Sequence, residues 1–251
     1  VRALGHIGER AQDVMERSHV AKLVSASLYD SDASVRCCTL EAFNYIGDAA
    51  AAHADEVATF ALDSDSGTRQ SCARALGQML HSKQSSDECV EDCKPQFFQM
   101  TRPPNAAKQL LVLLEDSDAC VRYFAVEALG HIGNPAFIHQ IAEKLFDDDL
   151  DVREMAAWAL GQIGAPASPV AGNIAKLLEQ STDALHRSAL EALGEIGPAA
   201  APFAINVVKS LDKDDAETRQ AAVIAIGKMG VPAAPFRNQV ANLFRDSDAS
   251  V

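Results

Sequence analysis

The chain has 251 residues, 48% of them hydrophobic and only 6% aromatic, with a formal net charge of −13. That length can bury a substantial core, while the absence of a run of about 18 apolar residues excludes a membrane-crossing helix. The acidic charge opposes the counterion release by which proteins hold nucleic-acid phosphates, and no dense Lys/Arg run offsets it. No basic stretch followed by an apolar run opens the sequence, so no secretory signal is visible.

Read in chain order, the sequence repeats itself. "ALGHIG" (residues 3 to 8) reads as the end of a helix whose start lies upstream. Six Asp-x-x-x-Arg words follow: Asp32/Arg36, Asp65/Arg69, Asp118/Arg122, Asp149/Arg153, Asp183/Arg187 and Asp215/Arg219. Their arginines are 33, 53, 31, 34 and 32 residues apart. "DSDASV" (246 to 251) opens a further copy. A period in the low thirties predicts stacked helical hairpins, an all-α, right-handed α-solenoid. The chain is expected to be one window of about seven copies from a longer array, cut within a copy at both ends.

Each copy reads as two helices, A and B. In the copy beginning at Ser117, Asp118 is a suitable N-cap. Val121, Phe124, Ala125, Ala128, Leu129 and Ile132 form an apolar stripe at helical spacing, and Gly133 ends helix A. Pro135 starts helix B, with Ile138, Ile141, Leu145 and Phe146 as its buried side. Asp and Arg four residues apart share a helix face. The Arg can also reach the Asp of the next copy, since packed helices lie roughly 8–10 Å apart. The six pairs are therefore expected to form a structural ladder, not a catalytic set.

The pattern "DSD..VR..A..ALG.IG..AAP" resembles the HEAT repeat, in its short phycobilisome-lyase-like form, and covers nearly the whole chain. The resemblance implies a scaffold for another protein or a larger assembly, with helices B lining a concave inner surface. It also implies an alternative, a phycobilin lyase or bilin-binding subunit, although only the scaffold part of that group matches. A third HEAT-type chemistry, the di-iron site of deoxyhypusine hydroxylase, rests on His-Glu pairs, and no His-Glu dipeptide occurs here.

Departures from the repeat are where function is expected. Residues 81 to 105 are an insertion, polar yet holding Phe97, Phe98 and Met100. They read either as a docking loop with an aromatic anchor or as a tolerated insertion. One residue before the buried aliphatic of each helix B stand Glu56, Gln109, Gln140, Asn173, Asn206 and Gln239; three further on stand Thr59, Val112, Glu143, Lys176, Lys209 and Asn242. This column reads as a hydrogen-bonding track for an extended partner, or as a solvated face or an amide ladder between copies. It shifts from acidic at Asp55 and Glu56 to basic at Lys176, Lys209, Arg237 and Arg245, a gradient able to orient a partner.

Other residues point to no chemistry. Of Cys37, Cys38, Cys72, Cys89, Cys93 and Cys120, three stand in repeated helices and read as free thiols in a reducing, intracellular, cytoplasmic setting, while Cys89 and Cys93 read as free thiols or an occasional disulfide. Cys89 and Cys93 lack an evident full ligand set beside His81. His6, His131 and His186 are scattered over the repeats, and Trp158 reads as packing. No cofactor, metal or catalytic residue is expected.

Overall fold

A computed structural model describes residues 14–81, 104–180, 183–230, 235–242 and 248; among these every regular element is helical. The chain divides into two units, Val1–Ile132 and Gly133–Val251. The first holds α1 (Val14–Ser25), α2 (Ala33–Ile46), α3 (Ala54–Ala58), α4 (Ser66–Leu80), α5 (Pro104–Leu113) and α6 (Ala119–Ile132). The second holds α7 (Ile138–Glu143), α8 (Leu150–Ile163), α9 (Ala171–Gln180), α10 (Asp183–Ile196), α11 (Ala204–Val208), α12 (Ala216–Met229) and α13 (Arg237–Asn242). Helices A pack in series, α2 on α4 on α6 in the first unit and α8 on α10 on α12 in the second. The fold is an all-α solenoid of helix pairs.

Local chemistry sets the helix ends. Asp32, Asp65, Asp149 and Asp215 cap their helices, each accepting a backbone N–H of the first turn. At the other end Gly47, Gly133, Gly164, Gly197 and Gly230 all take φ between +63° and +71°, a region that side chains disfavour. Between lies the apolar stripe, with Val121, Ala125, Ala128 and Leu129 at most 2% exposed.

Helices B differ from the expectation of a plain α-helix. They enter as 3₁₀ turns, Gly47–His53, Ala165–Val170 and Gly197–Phe203, and become α-helical only afterwards. Pro169 and Pro202 sit late in two of these turns, where a residue without an N–H would break an α-helical ladder. The 3₁₀ geometry also corrects one predicted core residue. Leu145 is fully buried, but Phe146 is 54% exposed. The segment Lys144–Phe146 winds at about three residues per turn, which carries Phe146 off the buried face.

The ladder arginines hold the turn before their own helix. Arg36 Nη1 donates to the carbonyls of Asp30 and Ser31, and Arg69 Nη1 to those of Asp63 and Ser64. Arg122, Arg153 and Arg219 repeat this contact. For Arg36 and Arg69 the acid reached in the next copy is not the predicted one, whereas Arg187 does reach Asp215. Arg36 makes a bidentate pair with Asp63, both contacts at 2.9 Å, and Arg69 one with Asp116 at 2.6 and 2.9 Å. Asp65 and Asp118 are instead engaged by their own helix N-termini, accepting from Thr68 N and Cys120 N.

The fifth copy is shifted by one residue. The positive-φ glycine lies eleven residues after Arg36, Arg122, Arg153 and Arg219, and eleven after His186, not Arg187. His186 therefore occupies the ladder position, 4% exposed. Arg187 lies one residue further round, pairing with Asp215 at 3.2 Å and Glu217 at 3.5 Å. Asp183 is the first helical residue of α10 and not the residue before it.

Two stability tests follow from this packing. An added Cβ at Gly77 would lie 2.9 Å from Ala128 Cβ and 3.0 Å from its Cα, whereas one at Gly227 meets nothing within 4 Å. Gly77→Ala is expected to cost about 1–3 kcal/mol, and Gly227→Ala to stabilise by a few tenths up to about 1 kcal/mol, both read from urea unfolding. The Arg69–Asp116 side chains are 15% and 9% exposed, those of Arg187–Asp215 30% and 36%. Arg69→Ala should therefore cost about 2–3 kcal/mol and Arg187→Ala less than about 1 kcal/mol; equal losses would contradict this ranking.

Candidate functional site

Within each unit the helix-B positions follow one burial pattern. Val57, Leu110, Ile141, Ile174 and Val207 are each fully buried. The residue before each one lies at the edge of that buried stripe. Glu56, Gln109, Gln140, Asn173 and Asn206 are accordingly half-buried. Thr59, Val112, Glu143, Lys176 and Lys209 lie exposed beyond them, one helical turn on. Gln239 is exposed on α13; the side chains of Asn242, Arg237 and Arg245 lie outside the described ones, as do Phe97, Phe98 and Met100.

The amides of this column do not bond to one another. Among the described residues, Gln109, Gln140, Asn173 and Asn206 have no hydrogen-bond partner, and Gln140 Oε1 is shielded from solvent without one. A ladder of amides between copies is therefore not what the column forms. Glu56 differs: its Oε2 lies 3.1 Å from His53 Nδ1.

In the second unit the column borders a recess of about 310 Å³ lined by Gly172, Asn173, Lys176, Glu179, Phe203 and Asn206. Gly172 allows its shape, since a Cβ there would lie 3.2 Å from Phe203 Cζ. The ring thus rests against α9 and forms an apolar shelf between two amides. The site offers donors, acceptors and two ammonium groups.

A second recess, missed in the sequence, lies on the helix-A side of the first unit. Asn44, Arg74, Gln78, Phe124, Glu127 and His131 line about 120 Å³ over Gly77 and Ala128. The Arg74 guanidinium stands 5.0 Å from the Phe124 ring centroid, so Phe124, predicted for the core stripe, is half-buried and lines the surface. Burial pushes the Glu127 carboxyl up, with Arg74 opposing. Burial, helped by His81, pushes His131 down. His81 Nδ1 donates to the His131 carbonyl at 3.2 Å, and the rings meet edge-on. The available signal was positional: Arg74, Glu127 and Trp158 share one place in the repeat, visible only once the copies are in register.

Among the described residues the thiols and histidines form no metal-binding cluster. Cys37, Cys38, Cys72 and Cys120 are free. Burial raises the Cys72 thiol far above its ordinary value, which makes it inert packing. No group of three or more His, Cys, Asp or Glu suited to a metal occurs among the described residues; Cys89, Cys93 and His6 lie outside them. No described helix is long and apolar enough to cross a membrane.

Stacked helix pairs with a repeated cap, a repeated Arg latch and an exposed polar column define a helical-repeat protein. Two family models match, one described as HEAT repeats over residues 107–171, the other as the HEAT repeat associated with sister chromatid cohesion over residues 2–42. These two stretches thus match HEAT repeats; neither description is that of the phycobilisome-lyase-like subgroup. No curated protein matches the chain. Among solved structures it is similar to YibA of Escherichia coli (TM-score 0.58, 19% identity, 97% of this chain and 78% of that one). It is also similar to an engineered protein (0.56, 19%, 92% and 96%). A designed armadillo repeat protein in complex with the peptide (KR)4 matches at 0.55 and 14%, over 91% of this chain and 98% of that one. These likenesses concern the fold alone.

His186 supplies a test of the shifted copy. Its Nε2 lies 2.8 Å from Ser210 Oγ in the interior, and burial, then the Lys213 charge, pushes its pKa down, with Asp183 opposing. The folded state thus prefers the neutral ring. That contribution to stability is complete above the unfolded value of about 6.5 and is lost as pH falls from there through the lowered folded value. His186→Val is expected to flatten the fall in melting temperature between about pH 7 and pH 5; an unchanged pH slope would exclude this role.

Proposed function

We propose that this chain is a non-catalytic interaction module that binds an extended polypeptide segment along its helix-B face. Gln109, Gln140, Asn173, Asn206 and Gln239 supply hydrogen bonds to the segment's backbone, with Lys176 and Lys209 beside them. The carrying observation is the column of half-buried amides, Gln109, Gln140, Asn173 and Asn206, whose side chains have no protein partner among the described residues. The designed armadillo repeat protein with its bound (KR)4 peptide supports the idea that a stack of this kind can hold an extended chain. The 81–105 insertion, with Phe97 and Phe98, is proposed as a second contact that adds specificity.

The test is selection from a displayed library of random dodecapeptides, followed by affinity measurement on the full chain. Asn173→Ala combined with Asn206→Ala should weaken the selected peptides by about tenfold or more, equivalent to one or two net hydrogen bonds. The melting temperature should not move. Undiminished binding by this variant would remove the helix-B face from the proposal.

A further inference from the structure

The helix-B face of the second unit runs against the charge of the chain. The protein carries 35 acidic and 22 basic side chains, so a lysine has acids in surplus to pair with. Lys228 takes Glu195 at 2.5 Å, and Arg187 takes Asp215 and Glu217. Lys176 and Lys209 occupy the same place in consecutive copies, both are exposed, and neither has a partner among the described residues. Asn173 and Asn206, each one turn before its lysine, are equally unpartnered, and the Phe203 shelf lies between them.

We propose that this face takes an extended segment of a partner protein bearing carboxylate side chains, one at every second or third residue. The proposal rests on the docking reading above and adds the chemistry of the occupant. The spacing follows from the stack. Packed neighbouring helices lie about 8–10 Å apart and an extended chain advances about 3.3 Å per residue, so successive lysines meet side chains two to three residues apart. The amides bond the segment's main chain, and the ammonium groups hold its carboxylates. Glu143, at the lysine place of the preceding copy, and Glu179, on the recess wall, repel carboxylates. They confine the acidic residues to the Lys176–Lys209 stretch and so set the segment's direction. A nucleic acid fits less well, because two lysines release few counterions against a net charge of −13.

The test is fluorescence anisotropy of the full chain with labelled peptides (Asp-Ala-Ala)4, (Gln-Ala-Ala)4 and (Lys-Ala-Ala)4, and with a single-stranded dT12 oligonucleotide. The acidic peptide is expected to bind at least about tenfold more tightly than the glutamine peptide and to weaken as salt rises. Lys176→Glu with Lys209→Glu should abolish that preference, Glu179→Gln should strengthen it, and both should leave the circular-dichroism melt in place. Equal binding of the acidic and glutamine peptides, with loss in the Asn173→Ala, Asn206→Ala variant, would overturn the charge inference and leave the docking reading standing. Binding of no peptide would overturn both. Preferential binding of the oligonucleotide, or acidic-peptide affinity untouched by the lysine reversal, would overturn the inference.

Discussion

Successive helices A come closest where a glycine faces an alanine. Gly77 faces Ala128, Gly161 faces Ala192 and Gly194 faces Ala225, each glycine so close that a methyl group would press on the alanine. This contact sets how near one copy lies to the next within each unit. The remaining features inherit that distance: the reach of an arginine to the following turn, the gap bridged by Phe203, and the rise between polar positions on successive helices B. Alanine and glycine dominate the repeat because bulk at these places would separate the copies.

The Arg latch works on top of that spacing. Its main anchors are backbone carbonyls of the turn before its own helix, groups that would otherwise want water. The carboxylate that Arg36 and Arg69 reach in the next copy is the one two residues before the cap. The cap carboxylates there, Asp65 and Asp118, accept helix N–H groups, so the two aspartates of these "DSD" words divide the work. Asp116 is held below the usual carboxylate range chiefly by the hydrogen bond from Arg69, despite its burial. Where the fifth copy replaces the latch with His186, a neutral hydrogen bond to Ser210 stands in for the ion pair.

On the helix-B side, the side chains of Gln109, Gln140, Asn173, Asn206, Lys176 and Lys209 have no partner among the described residues. Short α-helical segments framed by 3₁₀ turns present one half-buried amide or acid per copy, with an exposed side chain a turn beyond. An array of equivalent positions can vary in charge copy by copy without disturbing the stack. A scaffold of repeated helices acquires specificity for a partner in this way.

Repeat period, caps, glycine stops and apolar stripes were determined by the sequence alone, because each is a local preference of a helix and recurs often enough to be recognised. The helix-B column was equally legible, since being one residue from a buried aliphatic is a matter of helical phase. The tertiary structure decided what depends on register and on neighbours. It placed His186, not Arg187, at the latch, because the copies align on their terminal glycines and a single missing residue is hidden among arginines spaced 34 and 32 apart. It assigned Asp63 and Asp116 as the arginines' partners and exposed Phe146 through a 3₁₀ turn. It also gathered Arg74, Phe124, Glu127 and His131 around one recess. Contacts between copies depend on distance in space, and the order of residues along one helix carries no record of which neighbour stands opposite.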